Sequence, residues 1–256
     1  MASSEVLKEL PSEFNLFETP PVSMFYRGNP SLLSARKVSI VGARKAYAYS
    51  RNITQNLASE LSKRGVCVIS GGAMGIDALA HEGAYPNTIA VLANGLDIVY
   101  PKVNKKLLQK ISDNALLLSE YEDGIKARPY SFVHRNRLVV ALGEVLVVAQ
   151  ADLDSGSMRS VEFALQMGKK IYVLPHRLGE SEATMQLLHE GKAELITDIK
   201  AFADKFGRCA EEEDPFLSFC SRMPSYDEVL AYDAQKLFEY ELLGKIKILN
   251  GKIVVA

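Results

Sequence analysis

Short apolar runs recur along the chain, spaced so that one helix fits between most neighbours. This alternation restricts the fold more than any other feature of the sequence. The runs are "KVSIVGA" (37–43), "VCVISGG" (66–72), "TIAVLAN" (88–94), "ALLLSEY" (115–121), "EVLVVAQ" (144–150) and "KIYVLP" (170–175). They are nearly continuous rather than alternating, as strands buried on both faces must be. Segments of helical periodicity lie between several of them, at 50–64, 76–83, 102–112 and 157–168. The pattern predicts an α/β protein with a doubly wound, mainly parallel sheet.

The chain of 256 residues is 48% hydrophobic and 24% charged, enough to bury such a sheet between two helical layers. Residues 1–34, with prolines at 11, 20, 21 and 30, read as an irregular lead-in with at most one short helix. The sheet domain is expected over 35–207, and the acidic stretch "RCAEEEDP" supplies a linker at 208–214. Residues 215–256 predict two or three short helices and a hairpin, because "KIKIL-NG-KIVVA" puts Asn250-Gly251 between alternating apolar strands. Helices followed by a hairpin suggest a small winged-helix-like domain. No apolar run approaches the roughly 18 residues of a membrane span. The N-terminal stretch lacks the form of a secretory signal, and the three cysteines are few and without metal-like spacing. The cytoplasm is the expected compartment, with no membrane association.

Ligands of doubly wound sheets sit outside the carboxyl ends of the strands, so those ends are where chemistry is sought. After the first strand, "VGARKAYAYSRN" offers Gly42 for a tight turn, Arg44 and Lys45 for an anion, and Ser50 as a helix N-cap. The segment 36–51 holds five basic residues and no acid, which fits a solvated loop as well as a phosphate clamp. "VISGGAMGIDALAHEG" has the order of a phosphate loop. Its glycines at 71, 72 and 75 follow neither the dinucleotide nor the triphosphate spacing. Asp77 and His81, four apart, read as a helix-stabilising pair in preference to a catalytic dyad. Ser155, Gly156 and Ser157 offer hydroxyls and free N–H groups at a helix start, although Ser157 could be only an N-cap and Asp152 and Asp154 stand close by.

"SFVHRNRLVVAL" (131–142) ends a segment, 126–137, in which five of twelve residues can carry positive charge and none is acidic. It is expected to open a helix at "RNR". Arg135 and Arg137 do not share a helix face, and would reach one ligand only if the first lay at the helix start. Phe132 could stack on a base or belong to the core. Complete catalytic motifs are lacking, and the four histidines have no ligand spacing. Catalysis and a cofactor are therefore not expected.

Taken in order, these blocks resemble the DNA-processing protein A family (DprA, also called Smf). The resemblance runs from "MFYRGNPSLL" to "LLHEGKAELI", roughly residues 20–200. It implies an extended Rossmann-like fold and a homodimer that binds single-stranded DNA with little sequence preference. It also implies a role in natural transformation, in which incoming DNA is shielded and the RecA recombinase is loaded onto it. On the matching positions, Gly42, Arg44, Gly71, Gly72, Gly75, Asp77, Phe132, Arg135, Asn136, Arg137, Ser155, Gly156 and Ser157 are expected to converge on one basic pocket. There Arg44 and the serine turn hold phosphate, Phe132 packs on a base or sugar, and Arg135 and Arg137 supply charge or orient the loops. Where family members commonly carry a lysine, this chain has Pro129, and Lys126 or Arg128 is expected to replace that charge. Ala183 and Met185 stand where the family tends to show glycine and asparagine.

The alternative from another functional class is a Rossmann-like protein that binds or cleaves small nucleotides at the same strand ends. On the leading reading, Arg44→Ala or Arg135→Ala is expected to abolish DNA binding and leave the fold intact. The C-terminal module carries six basic and nine acidic residues over 208–256, the wrong balance for binding by counterion release. A protein partner or a regulatory role suits it better. Residues 208–256 alone are expected to show no tight, salt-sensitive binding in a duplex titration; such binding would refute the assignment.

Overall fold

The computed structural model describes residues 3–209 and 214–255; the acidic core of the expected linker, 210–213, lies outside the described residues. The chain divides into two units, 1–208 and 209–256.

The first unit is built on a nine-stranded sheet. Six parallel strands follow the apolar runs: β3 (Lys37–Val41), β4 (Cys67–Gly71), β5 (Thr88–Leu92), β6 (Leu116–Ser119), β7 (Leu146–Val148) and β8 (Ile171–Val173). A seventh, β9 (Glu194–Leu195), extends the parallel set at one edge. The lead-in is not irregular. It contributes β1 (Glu5–Val6) and β2 (Phe25–Gly28), with β2 antiparallel to β6 and β1 antiparallel to β2. It also forms two 3-10 turns, Ser12–Leu16 and Pro30–Ser34, instead of one helix. The spatial order is β1-β2-β6-β5-β4-β3-β7-β8-β9. Strand order therefore runs outward in both directions from β3, and a crevice opens above the neighbouring ends of β3, β4 and β7.

Both faces of the sheet are covered. Helices α1 (Ala48–Lys63) and α2 (Ile76–Ala84) cover one, where Val38, Ile40, Leu57, Leu61 and Val68 are buried. On the other lies α4 (Pro129–Leu142), whose last five residues, Leu138 to Leu142, are all buried against Ile69, Val91 and Phe14. This helix is the crossover from β6 to β7 and passes over β3, β4 and β5, fixed to β3 where the Ser39 hydroxyl donates to the Val139 carbonyl (2.5 Å). Between β5 and β6 runs α3 (Lys105–Asn114); α5 (Gly156–Gln166) packs beside α4, and α6 (Glu182–His189) and α7 (Ile199–Asp204) complete the unit. No helix among the described residues is long and apolar enough to cross a membrane.

Three local expectations are corrected. Helix α1 begins at Ala48, so Ser50 is buried in its first turn and does not cap it. Position 155, not 157, is the N-cap of α5, and its side chain makes no capping bond. Asp77 and His81 do not pair along α2: the His81 ring bonds the Thr88 hydroxyl (2.7 Å) and the Gly71 carbonyl (2.9 Å).

The second unit has its own core of Phe216, Val229, Leu237, Ile246 and Ile253. It comprises α8 (Pro215–Cys220), α9 (Tyr226–Leu242, interrupted at Asp233) and the hairpin of β10 (Ile246–Leu249) with β11 (Lys252–Val255). Asn250 and Gly251 both have positive φ, as their two-residue turn requires.

His81 ties α2 to the ends of β4 and β5. Burial pushes its imidazole down to about 4, and the Gly71 carbonyl only partly opposes this. The folded protein thus stays neutral there while the unfolded chain, near 6.5, takes up a proton. The stability this gives is present above about pH 6.5 and is lost as pH falls towards about 4, on the order of 3 kcal/mol in all. Urea unfolding between about pH 7 and about pH 4.5 is expected to show a shallower pH dependence in His81→Gln than in the parent chain. Parallel curves would contradict it.

Candidate functional site

The crevice above β3, β4 and β7 is an open cleft of about 660 Å³. Three turns and one helix build it. The turn after β3 carries Gly42, Arg44 and Lys45, and is held in place where Ala43 N–H donates to the Gln150 carbonyl (2.9 Å) and Tyr47 N–H to the Gln150 side chain (2.9 Å). The turn after β4 leads into α2 through Gly75, which has φ +79°; a Cβ there would lie 2.4 Å from the Ala43 carbonyl oxygen. Glycine is therefore needed for both the conformation and the close approach of the two turns. The turn after β7 presents Ser155, Gly156 and Ser157 at the start of α5.

Helix α4 forms the remaining wall, and it begins six residues earlier than expected. Pro129 occupies the first helical position, where its missing N–H costs nothing and its fixed φ suits the helix. Arg135 therefore lies in the second turn. It is 5% exposed, and its guanidinium donates from Nη1 to the Val91 carbonyl (2.6 Å) and from Nε to Asn136 Oδ1 (3.2 Å). It packs so closely on Gly71 that a Cβ there would meet Nη1 at 2.3 Å. Its charge faces the buried Asp77. Burial pushes the Asp77 carboxyl above its ordinary value, opposed first by Arg135 and then by the Ala73 N–H, the Ser70 hydroxyl and Arg44.

The cleft brings together Gly42, Arg44, Lys45, Gly71, Asp77, Phe132, Arg135, Asn136, Ser155, Gly156 and Ser157. Gly72 lines a small niche of about 30 Å³ next to it, between Arg44, Phe132 and Tyr100. Asn136 links two walls by donating to the Gly156 carbonyl (3.4 Å). Three expected residues are not brought in. Lys126 and Arg128 lie exposed on the segment before α4, and neither lines the cleft. Arg137, two positions from Arg135 and so about 200° around the helix, points elsewhere. It pairs with Glu120 and stacks 4.5 Å over Phe17.

The cations of the cleft divide by role. Arg135 is engaged with protein. Arg44 and Lys45 are exposed and have no hydrogen-bond or ion-pair partner among the described residues. Arg44 sits 5.8 Å over the Phe132 ring, which is 5.5 Å from Tyr100. Tyr100, 47% exposed, escaped the sequence reading; its position right after the third strand-end turn was the available signal. Asp152, exposed on the rim, marks the side from which an anion is repelled.

Fold and site together define a Rossmann-like α/β protein with an open cleft, lined by two exposed cations, at the switch point of a parallel sheet. The family model described as DNA recombination-mediator protein A matches residues 5–207, and the chain belongs to that family. It is 39% identical over 186 residues to the DNA processing protein DprA of Streptococcus pneumoniae, covering 69% of this chain and 64% of that one. To the putative DNA processing protein DprA of Mycobacterium tuberculosis it is 37% identical over 189 residues, covering 71% and 48%. The match thus spans about half to two thirds of these relatives' length. Among solved structures, DNA processing protein A of Helicobacter pylori, solved for its single-stranded DNA binding mode, superposes with TM-score 0.78 at 42% identity, covering 79% of this chain and 94% of that one. The S. pneumoniae protein gives TM-score 0.72 at 34% identity, covering 78% and 71%.

The burial of Arg135 replaces one expectation: Arg135→Ala does not leave the fold untouched. Removing it leaves the buried Val91 carbonyl without its donor and takes away the charge that opposes the desolvation of Asp77, a loss expected to be about 1–3 kcal/mol. Gly71→Ala displaces the guanidinium and is expected to cost about 1–3 kcal/mol. In urea titrations, the double variant Arg135→Ala/Asp77→Ala should recover part of the Arg135→Ala loss; purely additive losses would show that the two charges are not coupled.

Proposed function

We propose that this chain is a single-stranded DNA-binding recombination mediator. It holds a single strand in the strand-end cleft, shields it from nucleases and delivers it to a RecA-type recombinase during natural transformation. The observation that carries this reading is the pairing of two unpartnered cations, Arg44 and Lys45, with the aromatic face of Phe132 at the mouth of one open cleft. Cations that track phosphates and rings that stack on bases are the means by which proteins hold single strands irrespective of sequence. The N–H groups of Gly156 and Ser157 at the start of α5 add donors for a phosphate.

The reading is one of binding, not catalysis. No complete catalytic motif meets in the cleft: the His81 ring is bonded to Thr88 and Gly71, and Asp77 is buried near the charge of Arg135. The reading as a homodimer and the contact with the recombinase rest on family membership, and a cytoplasmic location on the form of the N-terminal stretch and the sparse cysteines. For the second unit we favour a protein partner, given its acidic balance and the exposed Phe238, Leu242 and Leu243 on and just after α9.

Arg44→Ala is expected to weaken binding of a single-stranded oligonucleotide at least about tenfold and to leave thermal stability unchanged. It should also reduce the slope of log affinity against log salt by about 0.7, the loss of one phosphate contact. Gel-shift titrations at two salt concentrations read both quantities. Unchanged affinity and slope would remove Arg44 from the site. Stabilisation by a mononucleotide with no oligonucleotide binding would favour the nucleotide-handling alternative.

A further inference from the structure

Helix α4 is a ridge between two hollows, the main cleft and a second on its other side. Residues two apart on a helix point about 200° from each other. Phe132, Arg135 and Asn136 share the side that faces the main cleft. Tyr130, His134 and Arg137, spaced by four and three, share the other side. There Tyr130, His134 and Glu120 line a second, open hollow of about 330 Å³, together with Tyr121, Val22 and Ser23. The two sides repeat one arrangement. An aromatic in the first turn, Phe132 or Tyr130, is followed by an arginine facing an acid, Arg135 with Asp77 or Arg137 with Glu120.

We propose that this second hollow is a base-stacking site that receives the continuation of the strand held in the main cleft. The inference rests on the single-stranded DNA reading. Tyr130 is 59% exposed and Tyr121 half-buried; both line the hollow, and neither has a ring partner among the described residues. Lys126 and Arg128 lie exposed on the segment joining β6, at the second hollow, to the start of α4, with no ion-pair partner among the described residues. On this proposal they meet the phosphates of the strand between the two hollows, which gives a place to two basic residues that the main cleft does not use. Glu120 does not oppose this. Arg137 takes up its charge, and His134 stands 3.7 Å from its other oxygen. The occupant is therefore a nucleobase stacked on tyrosine, with no cation to read its edge and no sequence requirement.

The chain contains no tryptophan, so Tyr130→Trp places a sole indole in the second hollow. An oligothymidylate of about 20 nucleotides, longer than one cleft needs, is the probe. The indole fluorescence is expected to be quenched on binding, and Tyr130→Ala to weaken binding roughly five- to tenfold without lowering thermal stability. Lys126→Ala/Arg128→Ala is expected to lower the salt dependence of binding. If the parent chain binds the oligonucleotide while the indole is unquenched and Tyr130→Ala binds as tightly as the parent, the second hollow is not part of the path. If the parent chain binds no oligonucleotide at all, the reading of the main cleft falls, and this one with it.

Discussion

The buried guanidinium of Arg135 organises the strand-end region. It joins α4 to β5 through the Val91 carbonyl, lies against the bare backbone of Gly71 at the end of β4, and faces Asp77 on α2. A charge so deep is tolerable only when paired and hydrogen-bonded. Each neighbour is therefore constrained in turn. Gly71 must lack a side chain, Asp77 must be acidic, and α4 must cross the sheet at a fixed height. The positions of Phe132 and Asn136 follow, because they are on the same stretch of helix.

This arrangement resolves why a chain of net charge −1 carries such a basic segment around residue 135. Half of the segment's four lysines and arginines are not offered to a ligand. Arg135 is balanced by Asp77 and Arg137 by Glu120, so the "RNR" motif is a structural clasp with one arm on each side of the helix. The charge that remains available is Arg44 and Lys45 in the cleft, and Lys126 and Arg128 before the helix. An interface of a few free cations on a neutral body holds phosphate locally without attracting polyanions over its whole surface.

The sheet was legible because burial on both faces forces continuous apolar strands, and each quoted run became one. Where chemistry sits was legible for the same reason, since strand ends are fixed once the strands are. The start of α4 was misjudged, although its signal was present. Pro129 marks a first helical position, a signal that the place of a family lysine at the same residue obscures. The strands of the lead-in were hidden because β1 and β2, of two and four residues, lie at the sheet edge and carry little apolar periodicity. Arg137 could not be separated from Arg135 by composition. Only the helix phase, set by Pro129, assigns them to opposite sides.

That phase also bears on how a grip without sequence preference is built. A site that reads bases needs donors and acceptors aimed at base edges, held by rigid neighbours. In the main cleft, the rigidly held polar groups are turned inward: Arg135 to Val91, Asn136 to Gly156, and Asp77 to Arg135. The groups left outward include two cations on a turn, the N–H groups at the start of α5, and a ring. None of these distinguishes one base from another, since every base has a stacking face and every nucleotide a phosphate. On the proposed reading, the same inward commitment of polar groups that stabilises the strand ends favours sequence-tolerant contacts in the cleft.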